Sequence, residues 1–304
     1  MENLDLQLTA ALLNDVFKPK NSVTTEYLEW QYHKNPAGSA CIGYILEESK
    51  QISNYALIPK ILKNNQGKKV KLGVGVDLAV SPKSRGKGLF RETIERSYKA
   101  GTNGNLDGIL GVANSQSSPR MTQAMGWRKL PSLDFRLLMP SRSKNRLKTF
   151  RMEPDLIEKS ETEGFFDVET CTHSSGFSPL WNKELLKWRL SRPGGNYYLH
   201  VSESAMLITT RVSIGGMKMA ILLKAFSVNP KETPIPIGSF VSDITKYHKT
   251  PFVSYWGKNP HFKMSGIKIP RKFQPSPLDI VVHFFESKIN FELDEFELLD
   301  FDAF

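Results

Sequence analysis

The stretch Val74-Gly75-Val76-Asp77-Leu78-Ala79-Val80-Ser81-Pro82-Lys83-Ser84-Arg85-Gly86-Lys87-Gly88-Leu89-Phe90 decides the reading of this chain. Its first seven residues are apolar or small, apart from Asp77, and predict a strand that Ser81-Pro82 ends. Phe90, Ile94 and Tyr98 then recur every four residues as far as Gly101, the spacing of a helix with one apolar face. The order is therefore strand, glycine-rich basic turn, helix start. At a helix start several backbone N–H groups lack partners and the helix dipole is positive, while Gly86 and Gly88 remove side chains that would hold a phosphate away. Arg85 and Lys87 add positive charge. The turn is suited to an anion, a pyrophosphate above all.

Working outward, the turn lacks the Gly-Lys-Ser/Thr ending of the nucleotide P-loop. It also lacks the third glycine and the downstream acidic residue of the dinucleotide fingerprint. ATP and NAD fall in rank accordingly. Leu78-Ala79-Val80, Pro82 and Arg85-Gly86-Lys87-Gly88 resemble the cofactor motif of the GNAT acyl-CoA N-acyltransferase superfamily, Arg/Gln-x-x-Gly-x-Gly/Ala after a strand. Phe90 stands where a small residue is usual, and Leu89-Phe90 resembles a larger, two-domain subset. A second segment is similar to the same superfamily: the apolar run Ile109 to Ala113, then Asn114, Ser117 and the ending Met125-Gly126-Trp127. The resemblance covers about residues 25 to 140.

That resemblance implies acetyl-CoA, or another short acyl-CoA, as cofactor. It implies Leu78, Ala79, Val80, Arg85, Gly86, Lys87, Gly88, Leu89, Phe90, Asn114 and Ser117 as the residues that hold it. Backbone N–H groups near Ala79 and Val80 would polarise the thioester carbonyl. The attacking amine must be neutral, although an alkylammonium has a pKa near 10.4, so a carboxylate or a water chain takes its proton. Asp77 is the candidate base; a strand aspartate equally pairs with a lysine or arginine. Many superfamily members place a tyrosine in the helix after the Asn114 position to protonate the leaving thiolate; here Met121 and Thr122 stand near it, and no general acid is identified. Trp30, Tyr32, His33 and Asn35 are candidates to line the acceptor pocket, and core packing or turn capping explains them as simply. The favoured acceptor is a primary amine on an amino sugar, nucleotide-linked, of the kind used in surface polysaccharide synthesis.

Residues 4 to 17, and those following Thr24-Thr25-Glu26, predict two helices. Cys41 to Leu46, Ile52 to Ile58 and Lys71 to Val80, with the hairpin Asn64-Asn65-Gln66-Gly67, predict an antiparallel meander. Ile109 to Ala113 should run parallel to the strand before the glycine turn, with Phe135 to Met139 a further strand. Pro140 to Arg151 is basic and lacks apolar periodicity, which reads as a linker with a boundary near residue 150. Glu26-Tyr27-Leu28-Glu29-Trp30 and Asn35-Pro36-Ala37-Gly38 are echoed by Glu184-Leu185-Leu186-Lys187-Trp188 and Arg192-Pro193-Gly194-Gly195, but the second copy has no basic glycine turn. The expected fold is α/β (α+β): a GNAT-like mixed sheet flanked by helices over residues 1–150, then a second, degenerate GNAT-like domain over 151–304 that walls the acceptor cleft.

With 304 residues and 40% hydrophobic content the chain can bury two cores of ordinary size. No run of about 18 apolar residues occurs, and Glu2 and Asp5 stand where a secretory peptide needs basic residues, so a soluble cytoplasmic protein without membrane insertion is expected. Two cysteines, Cys41 and Cys171, form no disulfide framework, and the six histidines, His173 and His200 among them, show no metal or nucleophile spacing. No metal is expected. The charge of +10 and pI near 9.4 favour an anionic partner. A nucleic-acid-binding protein using the basic first half, or a Fem-like aminoacyl transferase using charged tRNA, are the rival readings. No nucleic-acid motif supports the first, and the Arg85-Gly86-Lys87-Gly88 turn favours coenzyme A over the second.

Overall fold

The computed structural model describes residues 4–141, 147–153, 176–214, 216–228, 233–274, 277–286 and 289–301; Cys171 and His173 lie outside the described residues. The chain forms two compact units. The first comprises Met1–Leu62, Lys69–Leu130 and Leu278–Asn290. It opens with α1 (Leu6–Phe17), whose first N–H groups bond to the Asp5 carboxylate, and α2 (Thr25–Tyr32), capped by the Thr24 hydroxyl. The meander β1 (Cys41–Glu47), β2 (Lys50–Lys63) and β3 (Lys69–Val80) follows, then α3 (Leu89–Asn103), β4 (Gly108–Ala113) and β5 (Arg128–Lys129). A helical turn, Ser117–Pro119, and a π-turn, Arg120–Ala124, connect the last two strands.

Strand order in this sheet is β1, β2, β3, β4, then the strand Asp279–Phe284, then β5. β1 and β2 are antiparallel, with Cys41 opposite Leu57; β3 and β4 are parallel, as expected for strands joined through a helix. Asp279–Phe284 pairs antiparallel with β4 along its whole length. α3 packs on the sheet through Ile94 and its neighbours, and β1 admits it closely, because a Cβ on Gly43 would lie 2.4 Å from the Ser97 backbone nitrogen. The helix runs past the expected stop at Gly101 to Gly104, whose N–H bonds to the Ala100 carbonyl. Gly101 serves packing instead: a Cβ there would meet the Phe285 ring at 2.9 Å.

The second unit comprises Lys63–Lys68, Pro131–Pro277 and Phe291–Phe304. It contains β6 (Asp134–Leu138), β7 (Lys148–Arg151), α4 (Lys183–Leu190), β8 (Tyr197–Val201), β9 (Ala205–Ile214), β10 (Met217–Ser227), α5 (Gly238–His248) and β11 (Val253–Lys258). Its sheet runs Ile267–Lys268, β6, β11, β10, β9, β8, β7. The units divide at Leu130 and Pro131 rather than at 150, because β6 pairs with β11 while Asp279–Phe284 returns to the first sheet. The end of the expected linker is also a strand, since Lys148–Arg151 pairs with β8 from Val201 to Tyr198. Hydrogen-bond pairing at a sheet edge needs little apolar pattern, so composition concealed this strand.

The sequence echo corresponds to repeated topology. Trp30 and Trp188 lie on α2 and α4, each followed by an antiparallel meander, a helix and a strand parallel to the meander's last member. In the second unit the parallel pairing spans only Ala220–Leu222 against Val253–Tyr255. Beyond it the chain fills its own gap: Phe296–Glu297 pairs antiparallel with Gly257–Lys258. Lys224, fully buried on β10, is ion-paired with Glu295, Glu297 and Asp300. Burial opposes the lysine charge, but the three carboxylates more than offset this and raise its pKa. Burial likewise pushes Glu297 up to about 8.

Two histidines of this unit share one hydroxyl. His200 Nε2 and His248 Nε2 each lie 2.8 Å from Thr209 Oγ1, and His200 Nδ1 lies 2.8 Å from Thr149 Oγ1. Burial pushes His200 down to about 3 and His248 down to about 4. Both are neutral when folded, whereas an unfolded imidazole takes a proton near pH 6.5. Stability is therefore full above about pH 6.5 and falls as the pH drops towards 4. Urea unfolding should show a loss of about 2 kcal/mol or more between pH 7 and pH 5. In the folded protein the NMR signals of both rings should stay in the neutral form over that range; titration of either near pH 6.5 would contradict the burial argument.

Candidate active site

The basic glycine turn lies between β3 and α3. Pro82–Ser84 form a single 3-10 turn, Arg85 is extended, and Gly86 and Gly88 both take left-handed backbones, with φ of 83° and 77°. A Cβ at either glycine would meet nothing within 4 Å, so glycine is required there by conformation and not by crowding. Arg85, Gly86, Lys87 and Gly88 are all exposed. The 15-residue helix α3 begins directly after Gly88, so its first N–H groups open onto the turn. The turn thus combines two left-handed glycines, a helix N-terminus and two cationic side chains. Lys87 Nζ makes only a loose, exposed ion pair, 3.9 Å from Glu47.

The second feature is a break in the sheet. β3 and β4 pair from Leu72–Gly108 to Gly75–Gly111 and, among the described residues, no register pair joins them beyond that point. Both strands continue, to Val80 and to Ala113, and β4 remains paired with Asp279–Phe284 on its other edge. The end of β3 likewise stays bonded to β2 through Ser81 N and Ile52 O. The facing edges of Val76–Val80 and Val112–Ala113 therefore carry backbone donors and acceptors that do not serve each other, which suits an extended, amide-bearing ligand. Val76, Leu78, Val80 and Val112 are half-buried.

Asp77 causes the break. Its φ is 55°, a left-handed backbone inside a strand, and the alternation of side chains shifts there by one residue. Gly73 and Gly75 face the Leu57 and Tyr55 side chains on the α3 side, and Leu78 packs with that same cluster, while Asp77 points the other way, to α2. Tyr32 Oη donates to Asp77 Oδ2 at 2.7 Å. Asn54 Nδ2 donates to the Asp77 carbonyl at 3.1 Å and to the Tyr32 hydroxyl at 3.3 Å. Gln51 in turn donates to Asn54 Oδ1, and Thr9 to Gln51 Oε1. Burial first, and Asp77 second, raise the Tyr32 pKa, so this phenol remains a donor.

The expected acceptor residues separate. Tyr32 reaches the centre of this network, but Trp30 is buried against Tyr27, and Asn35 is committed to the turn, donating to the Pro59 carbonyl and accepting from the Ala37 N–H. His33 is the exposed member of the four. Asn114 Oδ1 accepts from the Gln116 and Ser117 N–H groups, and Ser117 Oγ accepts from the Asn114 N–H, so this pair shapes the chain's exit from β4. Leu89 and Phe90 are half-buried, and the large Phe90 is accommodated because its ring lies beneath the Arg120 guanidinium, 5.7 Å from the carbon to the ring centroid. Arg120 thereby stands beside the helix start opposite Phe90.

Arg120 and Tyr55 were missed by the sequence reading. Tyr55 is buried within the cluster of Leu57, Ile94, Ile109, Met121 and Trp127, and its hydroxyl has no hydrogen-bond partner among the described residues. A phenol left so costs about 1–3 kcal/mol. The signal available in sequence was Gly73 and Gly75 inside a strand, which marks the close approach of another group.

No family model and no curated protein matches the sequence. Solved structures do. A GCN5-related N-acetyltransferase from Anabaena variabilis superposes with a TM-score of 0.57 at 12% identity, over 92% of this chain and 70% of that one. A probable N-acyltransferase from Enterococcus faecalis gives 0.58 at 11% over the same shares, and N-myristoyltransferase from Saccharomyces cerevisiae, with myristoyl-CoA bound, gives 0.56 at 12% over 92% and 79%. The chain has the GNAT fold. Within that fold the glycine turn and the break between β3 and β4 are adjacent along one strand, since β3 enters both.

With coenzyme A as the phosphate-bearing probe of this turn, Gly88→Glu should lower affinity about a hundredfold or more, because the carboxylate would stand at the helix start. Strain at a left-handed position should cost only about 1 kcal/mol in stability. Gly67→Glu, at a hairpin with φ of 79° and equally open space, carries the same strain and should leave binding unchanged. Calorimetric titration of both variants checks this, and equal loss in the two would remove the turn from the binding site.

Proposed function

We propose that the chain transfers a short acyl group from acyl-CoA to a primary amine. The observation that carries the reading is the left-handed Gly86 and Gly88 turn at the start of α3, on the same strand that parts from β4 after Gly75. An anion cradle then leads directly to open backbone edges, which matches a ligand with a pyrophosphate at one end and an amide-bearing arm at the other. Two of the similar structures are by name an N-acetyltransferase and an N-myristoyltransferase, which agrees with this reading.

Acyl-CoA would supply the acyl group already activated as a thioester. The N–H groups of Gly86 to Leu89, with Arg85 and Lys87, would bind the pyrophosphate, and Arg120 adds charge beside them. Backbone N–H groups at Ala79 and Val80 would hold the amide-bearing arm alongside β3 and orient the thioester beyond it. Asp77, held by Tyr32 and Asn54, would accept the proton of the incoming ammonium. The α3 face below the break is filled by Tyr55, Ile94, Met121 and Trp127, which favours acetyl over a long chain. In the second unit Glu295, Glu297 and Asp300 hold the corresponding place, so we assign one coenzyme A per chain.

For the acceptor we favour an amino sugar, nucleotide-linked. Support comes from the resemblance of the Trp helix, the Asn35-Pro36-Ala37-Gly38 turn and the glycine turn to enzymes of surface polysaccharide synthesis, and from the net charge of +10, which attracts a nucleotide diphosphate. Thiol release from acetyl-CoA, followed with nucleotide-linked amino sugars, polyamines, amino acids and peptides, tests both levels. No amine-dependent release with any of them would overturn the acyltransferase reading. A polyamine or peptide faster than every amino sugar would overturn the acceptor alone.

Asp77→Asn isolates the base, because asparagine tolerates a left-handed backbone as well as aspartate does. Turnover should fall about a hundredfold or more, with acetyl-CoA affinity and melting temperature nearly unchanged. An equal loss of stability would assign Asp77 to the fold.

A further inference from the structure

The break between β3 and β4 has a hydroxyl at its closed end. A Cβ on Gly75 would stand 2.0 Å from Tyr55 Oη, so the phenol occupies the space of the missing side chain at the last residue pair before the strands part. The opposite member of that pair is also glycine: a Cβ on Gly111 would meet Val281 at 2.9 Å and the Trp127 ring at 3.2 Å. Tyr55 is 1% exposed and its oxygen is without a partner among the described residues. The cluster around it is apolar, and the hydroxyl of Tyr98 already accepts from Trp127 Nε1 at 2.6 Å. Burial raises the Tyr55 pKa, which keeps the proton on the oxygen.

We infer that Tyr55 donates its hydroxyl hydrogen to the acyl carbonyl oxygen of the bound thioester. This rests on the acyltransferase reading. A ligand arm entering from the glycine turn runs between the strand edges and ends at Gly75 and Gly111, so the atoms that meet Tyr55 are those farthest from the pyrophosphate, the thioester and its acyl group. A phenol with a bound proton and no acceptor among the described residues is a donor for a ligand oxygen. Among the groups at that end of the arm the carbonyl oxygen is the strong acceptor; a thioester sulfur accepts weakly.

The test compares acetyl-CoA with S-ethyl-CoA, the thioether of equal chain length that lacks only the carbonyl oxygen, by calorimetric titration of the wild type and of Tyr55→Phe. The wild type should prefer the thioester about tenfold, and the phenylalanine variant should bind both alike, with free coenzyme A bound equally by the two proteins. The melting temperature of ligand-free Tyr55→Phe should equal or exceed that of the wild type, because the hydroxyl it removes has no partner to lose. A preference that survives in Tyr55→Phe, a wild type without any preference, or a clear fall in melting temperature would each overturn the role of Tyr55 and leave the acyltransferase reading standing. Binding of no coenzyme A species by the wild type would overturn both.

Discussion

The left-handed backbone of Asp77 is the constraint on which the first unit's site depends, since one residue at φ 55° inside β3 reverses the alternation of the strand and ends its pairing with β4. Such a conformation costs about 1–2 kcal/mol for a residue with a Cβ and persists only where its surroundings over-determine it. Here they do. Asn54 holds the Asp77 carbonyl, Tyr32 holds the carboxylate, and Gln51 and Thr9 fix Asn54 from α1 and β2. Helices α1 and α2 thus serve the site indirectly, by supplying the hydroxyls that set the geometry of a strand they do not belong to.

The same device has opposite outcomes in the two units. In both, a parallel pair begins and stops after a few residues. The second unit closes the resulting gap with Phe296–Glu297 and three carboxylates around Lys224, a buried group in which removing the lysine would leave the carboxylates without their counter-charge. In the first unit, among the described residues, no such strand pairs with the facing edges beyond Gly75 and Gly111. The asymmetry follows the sequence: basic glycine chemistry precedes α3, whereas α5 begins at Gly238 without a basic residue in its first turn.

Much of this was legible before the structure. Hydrophobic period and capping residues located α1, α2, the meander, α3 and β4 to within a few residues, because each is fixed by its own local chemistry. The glycine turn was legible for the same reason, as no residue but glycine takes those backbones freely. What depends on pairing between distant segments was not. Nothing in Asp279–Phe284 announces a place beside β4, and nothing in Lys148–Arg151 announces β8. Trp30 and Asn35 carry side chains that suit a pocket, yet one completes a core and the other a turn, and their residue types cannot distinguish those uses. Tyr55 reads in sequence as an ordinary strand aromatic in phase with Ser53 and Leu57; its lack of a partner is a property of what surrounds it.

Two unfavourable features therefore stand at one point in the sheet, on opposite faces. Asp77 holds a strained backbone on the α2 side, and Tyr55 holds an unpaired hydroxyl on the α3 side, at the pair where the strands part. A sheet selected for stability alone would keep neither, since a glycine at 77 would relieve the backbone and a phenylalanine at 55 would remove the buried donor. Retaining both is consistent with a ligand in the break: it would give the hydroxyl an acceptor, pair the edges that Asp77 separates, and return on binding part of what each feature costs the free protein.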